Sequence, residues 1–307
     1  MWSMLVHMGY NMWEESHRKP YLRCDRSLWN DTAEAAQKAG IDTLIIDVGE
    51  ALRFDKYPEL AVEGSLTHDE MQAEIARLRG MGFEIIPKLN FSTCHNGWMG
   101  EYSRMVSTTP YYRFCEDVIA ETCAVFKPRY FHIGMDEEDM VRKTYDYVVI
   151  RQNDLWWRDL YHIIDQVEKQ GVRAWMWADY ICDHKDEYLQ KMPKSVLQNN
   201  WFYGDDLVNR DPAVPQDVRN WLERRIRAFN WLADAGYDQV PAGSIWSKRE
   251  NMRELVRYCE TSMPTDHLMG YMQTIWFPCL EENRDKNMLA VETMAEARRW
   301  YMENCAK

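Results

Sequence analysis

The feature that most constrains this chain is an alternation of short apolar segments with longer amphipathic ones, repeated eight times from end to end. The short segments read as buried strands, and they span residues 4–10, 43–48, 84–89, 130–134, 173–177, 195–199, 239–242 and 268–274. The amphipathic segments have the 3.6-residue period of helices, and they span residues 27–39, 67–80, 110–126, 153–170, 183–191, 216–235, 248–261 and 283–303. Regular alternation of strand and helix predicts a parallel sheet.

The alternation predicts a single (β/α)₈ barrel over residues 1–307, with neither a linker nor a second domain. The main competitor is an open, doubly wound sheet, but no Gly-rich phosphate loop follows the first predicted strand. A hydrophobic content of 46% is ample for one large core. Thr67 and Glu70 have the spacing of a capping box at the start of the second predicted helix.

The bulk properties exclude several classes of partner. A net charge of −12 argues against nucleic acid and anionic membrane surfaces. No apolar run is long enough to span a bilayer, and residues 1–20 do not form a signal peptide, although a leader removed upstream would leave no trace. The eight cysteines form no CxxC pair and are expected to be reduced thiols, so we expect a cytoplasmic protein. The sequence does not determine the oligomeric state.

The carboxyl ends of the predicted strands alternate polar side chains with aromatic ones. Catalytic groups of such barrels lie at these ends, which here are segments 11–14, 47–50, 90–95, 136–138, 177–179, 199–203 and 244–246 and Trp276. The chain has 14 tryptophans and 17 tyrosines. Most tryptophans are expected to pack in the core, but flat rings beside hydroxyl-binding groups also suit a sugar. These ends therefore predict a carbohydrate pocket.

The fourth predicted strand ends in three acids, Asp136-Glu137-Glu138. Alternation along the strand places His132 and Asp136 on the same side, toward the barrel axis, and Glu137 at its mouth. A charged Asp raises the pKa of a neighbouring Glu, so Glu137 stays protonated and can donate to a leaving oxygen. Alternatively, an acidic run only begins a loop or caps a helix. Placement at a barrel strand end favours Asp136 and Glu137 as the catalytic pair, with Glu138 in a minor loop role.

His132-Ile-Gly-Met-Asp136-Glu137 resembles the His-x-Gly-Gly-Asp-Glu motif of family 20 glycoside hydrolases, the β-N-acetylhexosaminidases. Segment 86–95 resembles their third-strand Ile-Pro-Glu-x-Asp followed by Pro-Gly-His, and segment 174–179 their fifth-strand Trp-Asp/Glu stretch. Trp276 occupies the place of their last-strand Trp. The resemblance extends over the whole barrel in order, and only the fourth-strand motif is specific.

This resemblance implies an exo-acting, retaining hydrolase in which the substrate's 2-acetamido oxygen is the nucleophile. Asp136 then orients the acetamido group, and Glu137 protonates the leaving oxygen and later activates water. Tyr203 is the candidate donor to the acetamido oxygen, and Trp201 or Trp276 the wall around it. The other candidate substrate contacts are Asn90, His95, Trp98, His132, Trp177, Asp179 and Glu282. The implied substrate is an amino-sugar glycoside, and no cofactor or metal is implied.

The seventh predicted strand supports this mechanism independently. Many barrel glycosidases use a protein carboxylate as nucleophile, about 5 Å from the acid in retaining enzymes. Here no acid follows the strand before Glu250, which we place in the next helix. A missing protein nucleophile is what a substrate-assisted mechanism permits.

Several residues depart from the family pattern. Met135 replaces the second motif Gly, Lys88 the third-strand Glu and Asn90 the Asp that follows it. The first strand end lacks an Arg for sugar hydroxyls, although three arginines lie within reach in sequence: Arg18, Arg23 and Arg53. These departures bear on the identity of the sugar, gluco or galacto, and on the need for an N-acetyl group, more than on the reaction class.

Other polar residues have two interpretations each. His132 is expected to brace the catalytic carboxylate, Asp47 and Glu50 either bind hydroxyls or cap a helix, and Glu282 either contacts sugar or begins the last helix. The Arg-rich stretch 219–227 predicts a solvated helix face. Two other functions stay open: a metal-dependent isomerase or aldolase with its ion at His132, Asp136 and Glu138, and a non-catalytic glycan-binding barrel.

Overall fold

Eight parallel strands alternate with eight α-helices in the computed structural model, which describes residues 1–13, 18–138, 151–204, 207 and 215–306. The strands are β1 (Trp2–His7), β2 (Thr43–Asp47), β3 (Glu84–Lys88), β4 (Tyr130–His132), β5 (Arg173–Trp177), β6 (Leu197–Asn199), β7 (Ala242–Ser244) and β8 (Tyr271–Thr274). The helices are α1 (Arg26–Lys38), α2 (His68–Gly80), α3 (Thr109–Phe126), α4 (Asp154–Lys169), α5 (Lys185–Lys191), α6 (Gln216–Asp234), α7 (Asn251–Ser262) and α8 (Arg284–Asn304).

The strands form one sheet in the order β6-β5-β4-β3-β2-β1-β8-β7. Backbone hydrogen bonds close the remaining gap, because Val240 N donates to Gln198 O and Ala242 N donates to Asn200 O, each over 2.9 Å. A sheet joined at both edges is a barrel and not an open doubly wound sheet. The predicted (β/α)₈ architecture is confirmed.

The strand register aligns polar residues at one level of the barrel. His7 pairs with Asp47, Asp47 with Lys88, and Lys88 with His132 across successive strands. These four side chains are buried, while the strand residues before them are mainly apolar, as expected for parallel strands covered on both faces. The register thus separates an apolar lower barrel from a polar layer at the carboxyl end, where chemistry is placed in this fold.

Local sequence signals account for most element boundaries. The predicted capping box is present, since Thr67 N donates to Glu70 Oε2 over 2.8 Å and Glu70 N donates to Thr67 Oγ1 over 3.3 Å. All strands except β5 differ from the predicted bounds by one to three residues, and two of these differences concern the site. β7 begins three residues later than the predicted 239–242 and ends two residues later, and β4 stops at His132 because Gly134 and Met135 both have a φ of 72°. A left-handed residue interrupts the extended backbone that a strand requires.

The cysteines and the helix lengths add two plain observations. All eight cysteines are free, and burial raises the pKa of Cys115 and Cys259, which keeps these thiols protonated and unreactive at neutral pH. Within the ranges that the structure describes, no helix combines the length and apolar character needed to cross a bilayer.

Candidate active site

A cavity of about 570 Å³ opens at the carboxyl end of the barrel. Six of the predicted site residues line it: Asp136, Glu137, Trp177, Trp201, Tyr203 and Trp276. The other described lining residues are Tyr10, Trp13, Phe202, Gly204, Trp221, Leu222, Arg225, Trp246 and Ser247. The wall is therefore mainly aromatic, with few polar groups, which is the composition of a small-molecule site.

Three further predicted residues hold the Asp136–Glu137 pair in place. Asn90 Nδ2 donates to Asp136 Oδ1 over 2.8 Å, and the Glu137 backbone N–H donates to Asp179 Oδ2 over 3.1 Å. His95 Nε2 lies 3.1 Å from Glu137 Oε2 and 3.5 Å from Asp136 Oδ2. The structure therefore brings together the third, fourth and fifth strand ends around two carboxylates, as the sequence predicts.

His95 carries a proton more readily than an isolated histidine does. Burial alone would lower its pKa, but the charge of Asp136 and the hydrogen bond to Glu137 outweigh burial, so the pKa of His95 is raised. A protonated His95 donates to the carboxylates and offsets their mutual repulsion. This contact explains how two acids are tolerated side by side in a buried site.

The backbone that carries the pair is strained. Met135 and Glu137 adopt left-handed φ angles of 72° and 50°, and such a conformation costs a non-glycine residue about 1–2 kcal/mol. Gly134 is required, because a Cβ there would lie 2.0 Å from Asn90 Oδ1. Met135 stands where the resembled motif has its second Gly, and its positive φ is the reason that a Gly suits this position. Strain of this kind concentrates at functional sites.

His132 does not brace Asp136, so that prediction is wrong. Its Nε2 lies 3.2 Å from Asn199 Oδ1, and its Nδ1 accepts from Gly134 N over 3.1 Å. Burial and the nearby Lys88 charge hold the pKa of His132 well below its ordinary value, so the ring is neutral. The strand ends at His132, and the alternation that would have aligned it with Asp136 does not continue.

Two other predicted contacts lie away from the pocket wall. Trp98 is fully buried and donates through Nε1 to Asn90 O over 2.7 Å, so it supports the residue that holds Asp136. Glu282 is exposed in the 3-10 turn Glu281–Asn283 that precedes α8, which agrees with the helix-start interpretation. Neither belongs to the described lining of the cavity.

Asp47 and Glu50 do not line the cavity, and neither caps an α-helix. Asp47 forms a buried ion pair with Lys88 and lies 2.8 Å from His7 Nδ1. Glu50 accepts from the backbone N–H groups of Tyr10 and Asn11 over 2.8 and 2.9 Å. The Lys88 that replaces the family's Glu thus belongs to an ionic layer beneath the pocket.

The arginines considered as hydroxyl ligands serve the loop after β1. Arg18 donates to Leu60 O over 2.8 Å, and Arg23 donates to Tyr10 O over 3.1 Å. Neither they nor Arg53 appear in the described lining of the pocket.

Arg225 was missed, because stretch 219–227 predicts a solvated face. That prediction is wrong for Arg225, which is buried with its guanidinium carbon 3.9 Å from the Trp201 ring centre and 4.8 Å from that of Trp221. Trp221 and Arg225 are four residues apart on α6, so they lie on one face. That spacing is the signal that would have singled Arg225 out. Three further lining residues were also not predicted as substrate contacts: Tyr10, Trp13 and Trp246. Trp13 and Trp246 lie within the predicted strand ends, and Tyr10 lies next to one.

The seventh strand end supplies no carboxylate. After β7 the chain continues through Ile245 to Glu250, and this segment contributes Trp246 and Ser247 to the wall. Glu250 immediately precedes α7 and does not lie inside it, because the helix begins at Asn251, three residues later than predicted. Among the described lining residues, Asp136 and Glu137 are the only acids.

Asp179 should make stability depend on pH in a sense opposite to that of most acids. Burial first, and then the Asp136 charge, raise its pKa from 3.8 to about 6, against the effect of Arg225. Between these two values the folded chain binds the extra proton, so its contribution is full below pH 3.8 and is lost as pH rises through 6. We expect the free energy of unfolding of Asp179→Asn to rise by roughly 1 kcal/mol relative to that of the wild type as the pH increases from 5 to 8.

Urea unfolding of both proteins at pH 5, 6.5 and 8 measures this difference. Asp186→Asn, on exposed α5 surface, is the control and should track the wild type. A gap between Asp179→Asn and the wild type that is constant with pH would contradict the raised pKa.

Known proteins with similar sequences or structures identify the type of fold. No family model matches the sequence. Among curated proteins, a lacto-N-biosidase of Bifidobacterium bifidum is 21% identical over 250 residues, covering 72% of this chain and 22% of that protein. The chain thus spans about a fifth of the length of this relative.

Two solved structures illustrate the structural similarity. A family 20 exo-β-N-acetylglucosaminidase from Vibrio harveyi has a TM-score of 0.63 at 16% identity, covering 96% of this chain and 53% of that one. Dispersin B has a TM-score of 0.62 at 14% identity, covering 96% of this chain and 97% of that one. The resemblance seen in the sequence is thus confirmed at the level of structure: the chain has the barrel fold of the family 20 β-N-acetylhexosaminidases.

Proposed function

We propose that this barrel hydrolyses β-linked N-acetylhexosaminides with retention of configuration, using the substrate's acetamido group as nucleophile. The observation that carries the proposal is the pair Asp136 and Glu137, which are the only acids among the described lining residues of a mainly aromatic pocket. A solved enzyme of similar fold that is named for N-acetylglucosamine and a sequence relative that is named a lacto-N-biosidase support the same substrate class.

The arrangement of the pair argues against a protein nucleophile. Both carboxylates reach the same nitrogen of His95, so they lie side by side. With Glu137 as the acid and Asp136 as the group that orients the acetamido substituent, no acid among the described lining residues remains to act as a nucleophile. The attacking group then comes from the substrate.

The reaction proceeds in two steps. Asp136 accepts the acetamido N–H, and the acetamido oxygen forms a bond to the anomeric carbon while the glycosidic C–O bond breaks. Glu137, which takes up the proton that it shares with His95, gives this proton to the departing oxygen. In the second step Glu137 takes a proton from water, the water oxygen bonds to the anomeric carbon, and the acetamido group is restored.

The aromatic wall provides the remaining contacts. Trp201 and Tyr203 stack with ring centres 4.8 Å apart, and Trp276 lies 5.8 Å from Trp177. Burial raises the pKa of Tyr203, so its hydroxyl stays protonated and can donate to the acetamido oxygen. Trp177 Nε1 is buried without a hydrogen-bond partner among the described residues, and a sugar hydroxyl would satisfy it.

A pair of substrates tests the mechanism. We expect the wild type to cleave a 4-nitrophenyl N-acetyl-β-glucosaminide at least about a thousandfold faster than the matching β-glucoside, because an intramolecular nucleophile replaces a bimolecular one. The two substrates share the leaving group and differ only at carbon 2. Comparable rates would show that the acetamido group takes no part.

One observation favours a second candidate, a metal-dependent barrel enzyme. His95, Asp136 and Glu137 place their ligand atoms within 4.8 Å of one another. The metal ligands predicted from the sequence, His132, Asp136 and Glu138, are wrong. His132 is hydrogen-bonded to Asn199, and Glu138 is hydrogen-bonded to Arg151. Loss of activity in a chelator and its return with added divalent metal would favour this candidate, whereas chelator-insensitive hydrolysis excludes it. Tight N-acetylglucosamine binding without any turnover would instead indicate a glycan-binding barrel.

A further inference from the structure

The pocket contains a cation that the proposed reaction does not use. Arg225 on α6 is the only Lys or Arg among the described lining residues, and it is 8% exposed. It lies among aromatic rings on the side formed by the sixth strand end and α6. A buried arginine facing a ligand pocket requires an explanation, because burial of a charge is costly.

The surrounding residues hold this guanidinium in place. It packs between Trp201, at 3.9 Å, and Trp221, at 4.8 Å, which are cation–π distances. Asn200 Nδ2 donates to the Arg225 backbone oxygen over 2.9 Å and ties α6 to the end of β6. The group is thus positioned before any ligand arrives, so little side-chain entropy is lost on binding.

Two of the three guanidinium nitrogens of Arg225 are not used within the described part of the chain. Nε and Nη1 are buried without a hydrogen-bond partner there, and no described carboxylate forms an ion pair with the side chain. The charge of Arg225 opposes the raised pKa of Asp179, but the two side chains make no hydrogen bond. The cation is close to negative charge without being neutralised by contact.

We propose that Arg225 recognises an anionic substituent, a sulfate ester or a carboxylate, on the sugar chain that the pocket binds. This inference rests on the proposed function and narrows its substrate class. The planar guanidinium fork matches two oxygens of such a group, and a charge-assisted bond is stronger than one to a neutral hydroxyl. A neutral sugar would occupy the donors but leave the buried charge without a counterion.

Binding without turnover tests the site. Calorimetry at constant ionic strength, with chloride as the balancing salt, compares four ligands: inorganic sulfate, N-acetylglucosamine, its 6-sulfate and glucuronic acid. We expect the wild type to bind sulfate and at least one anionic sugar about tenfold more tightly than Arg225→Met does. The 6-sulfate and glucuronic acid arms separate a sulfate ester from a carboxylate.

Two further variants complete the test. Arg227→Met removes a largely exposed arginine of the same helix and should bind like the wild type. Arg225→Lys keeps the charge without the fork and should recover part of the affinity. Thermal unfolding of each variant shows whether it is folded. Equal affinity of folded Arg225→Met and wild type for sulfate and for both anionic sugars would overturn the inference.

The outcome is separable from that of the proposed function. If the protein hydrolyses neutral N-acetyl-β-glucosaminides but its affinity for anions does not depend on Arg225, only this inference is contradicted. If its affinity for anions depends on Arg225 but it cleaves no N-acetylhexosaminide, only the proposed reaction is contradicted.

Discussion

Glu137→Gln is expected to lower kcat for 4-nitrophenyl N-acetyl-β-hexosaminides by a factor of about 10²–10⁴, with little change in KM. Gln has nearly the same size as Glu and retains the backbone N–H that donates to Asp179 Oδ2 over 3.1 Å. It cannot release a proton to the leaving oxygen or accept one from water. The defect should therefore fall on chemistry and not on binding.

The leaving group sharpens this experiment. A 2,4-dinitrophenyl leaving group needs little protonation. In Glu137→Gln the rate of the first step should therefore fall much less with this leaving group than with a poorly acidic alkyl aglycone. Glu34→Gln, at an exposed position on α1, is the matched control and should behave like the wild type. Undiminished hydrolysis of the alkyl glycoside by Glu137→Gln would assign the acid to another residue.

The barrel and the meeting of the polar strand ends around Asp136 and Glu137 were predictable for the same reason. Strand and helix periods are local properties of the chain, and in a parallel barrel every strand end opens on the same face, so Asn90, Asp136 and Asp179 were bound to meet. The absence of an acid after β7 is equally local. None of these conclusions depends on the direction in which a particular side chain points.

The errors arose where the direction of a side chain decided the answer. His132 was assigned to Asp136 by strand alternation, but the left-handed φ of Gly134 and Met135 ends the alternation between them. Arg225 was assigned to solvent by its charged neighbours, whereas its burial depends on Trp201 from another element of the fold. Glu138 lies in a loop as predicted, but its ion pair was not anticipated, because nothing local shows that it meets an arginine thirteen residues away.

That arginine, Arg151, is the centre of a buried ionic network beside the site. Arg151 Nε donates to Glu138 Oε1 over 2.8 Å, Nη2 donates to Phe91 O over 2.7 Å, and Nη1 lies 3.5 Å from Asp159 Oδ2. Arg151 and Asp159 are fully buried, and Glu138 also accepts from Thr93 N over 2.9 Å. The network thus fixes the residue that follows Glu137 to the third strand end.

Arg151→Met should destabilise the fold by about 3–5 kcal/mol, because buried Glu138 loses its cation and buried Asp159 keeps only the exposed Arg158, at 3.9 Å. Urea unfolding at pH 7 measures the loss. Adding Glu138→Gln and Asp159→Asn to Arg151→Met should recover part of it, since the uncompensated charges are then gone. If the single variant loses no more than Arg257→Met, whose side chain is 62% exposed and lies outside the network, the network contributes no such stability.

Activity distinguishes an anchor for Glu137 from a purely structural network. At a temperature where Arg151→Met is still folded, release of Glu138 should let Glu137 leave its left-handed conformation, which the surrounding contacts must maintain. The expected result is a fall in kcat with KM nearly unchanged, larger for poor leaving groups than for dinitrophenol, as in Glu137→Gln. A folded variant with wild-type kcat for both leaving groups would show that Arg151 stabilises the barrel without positioning its acid.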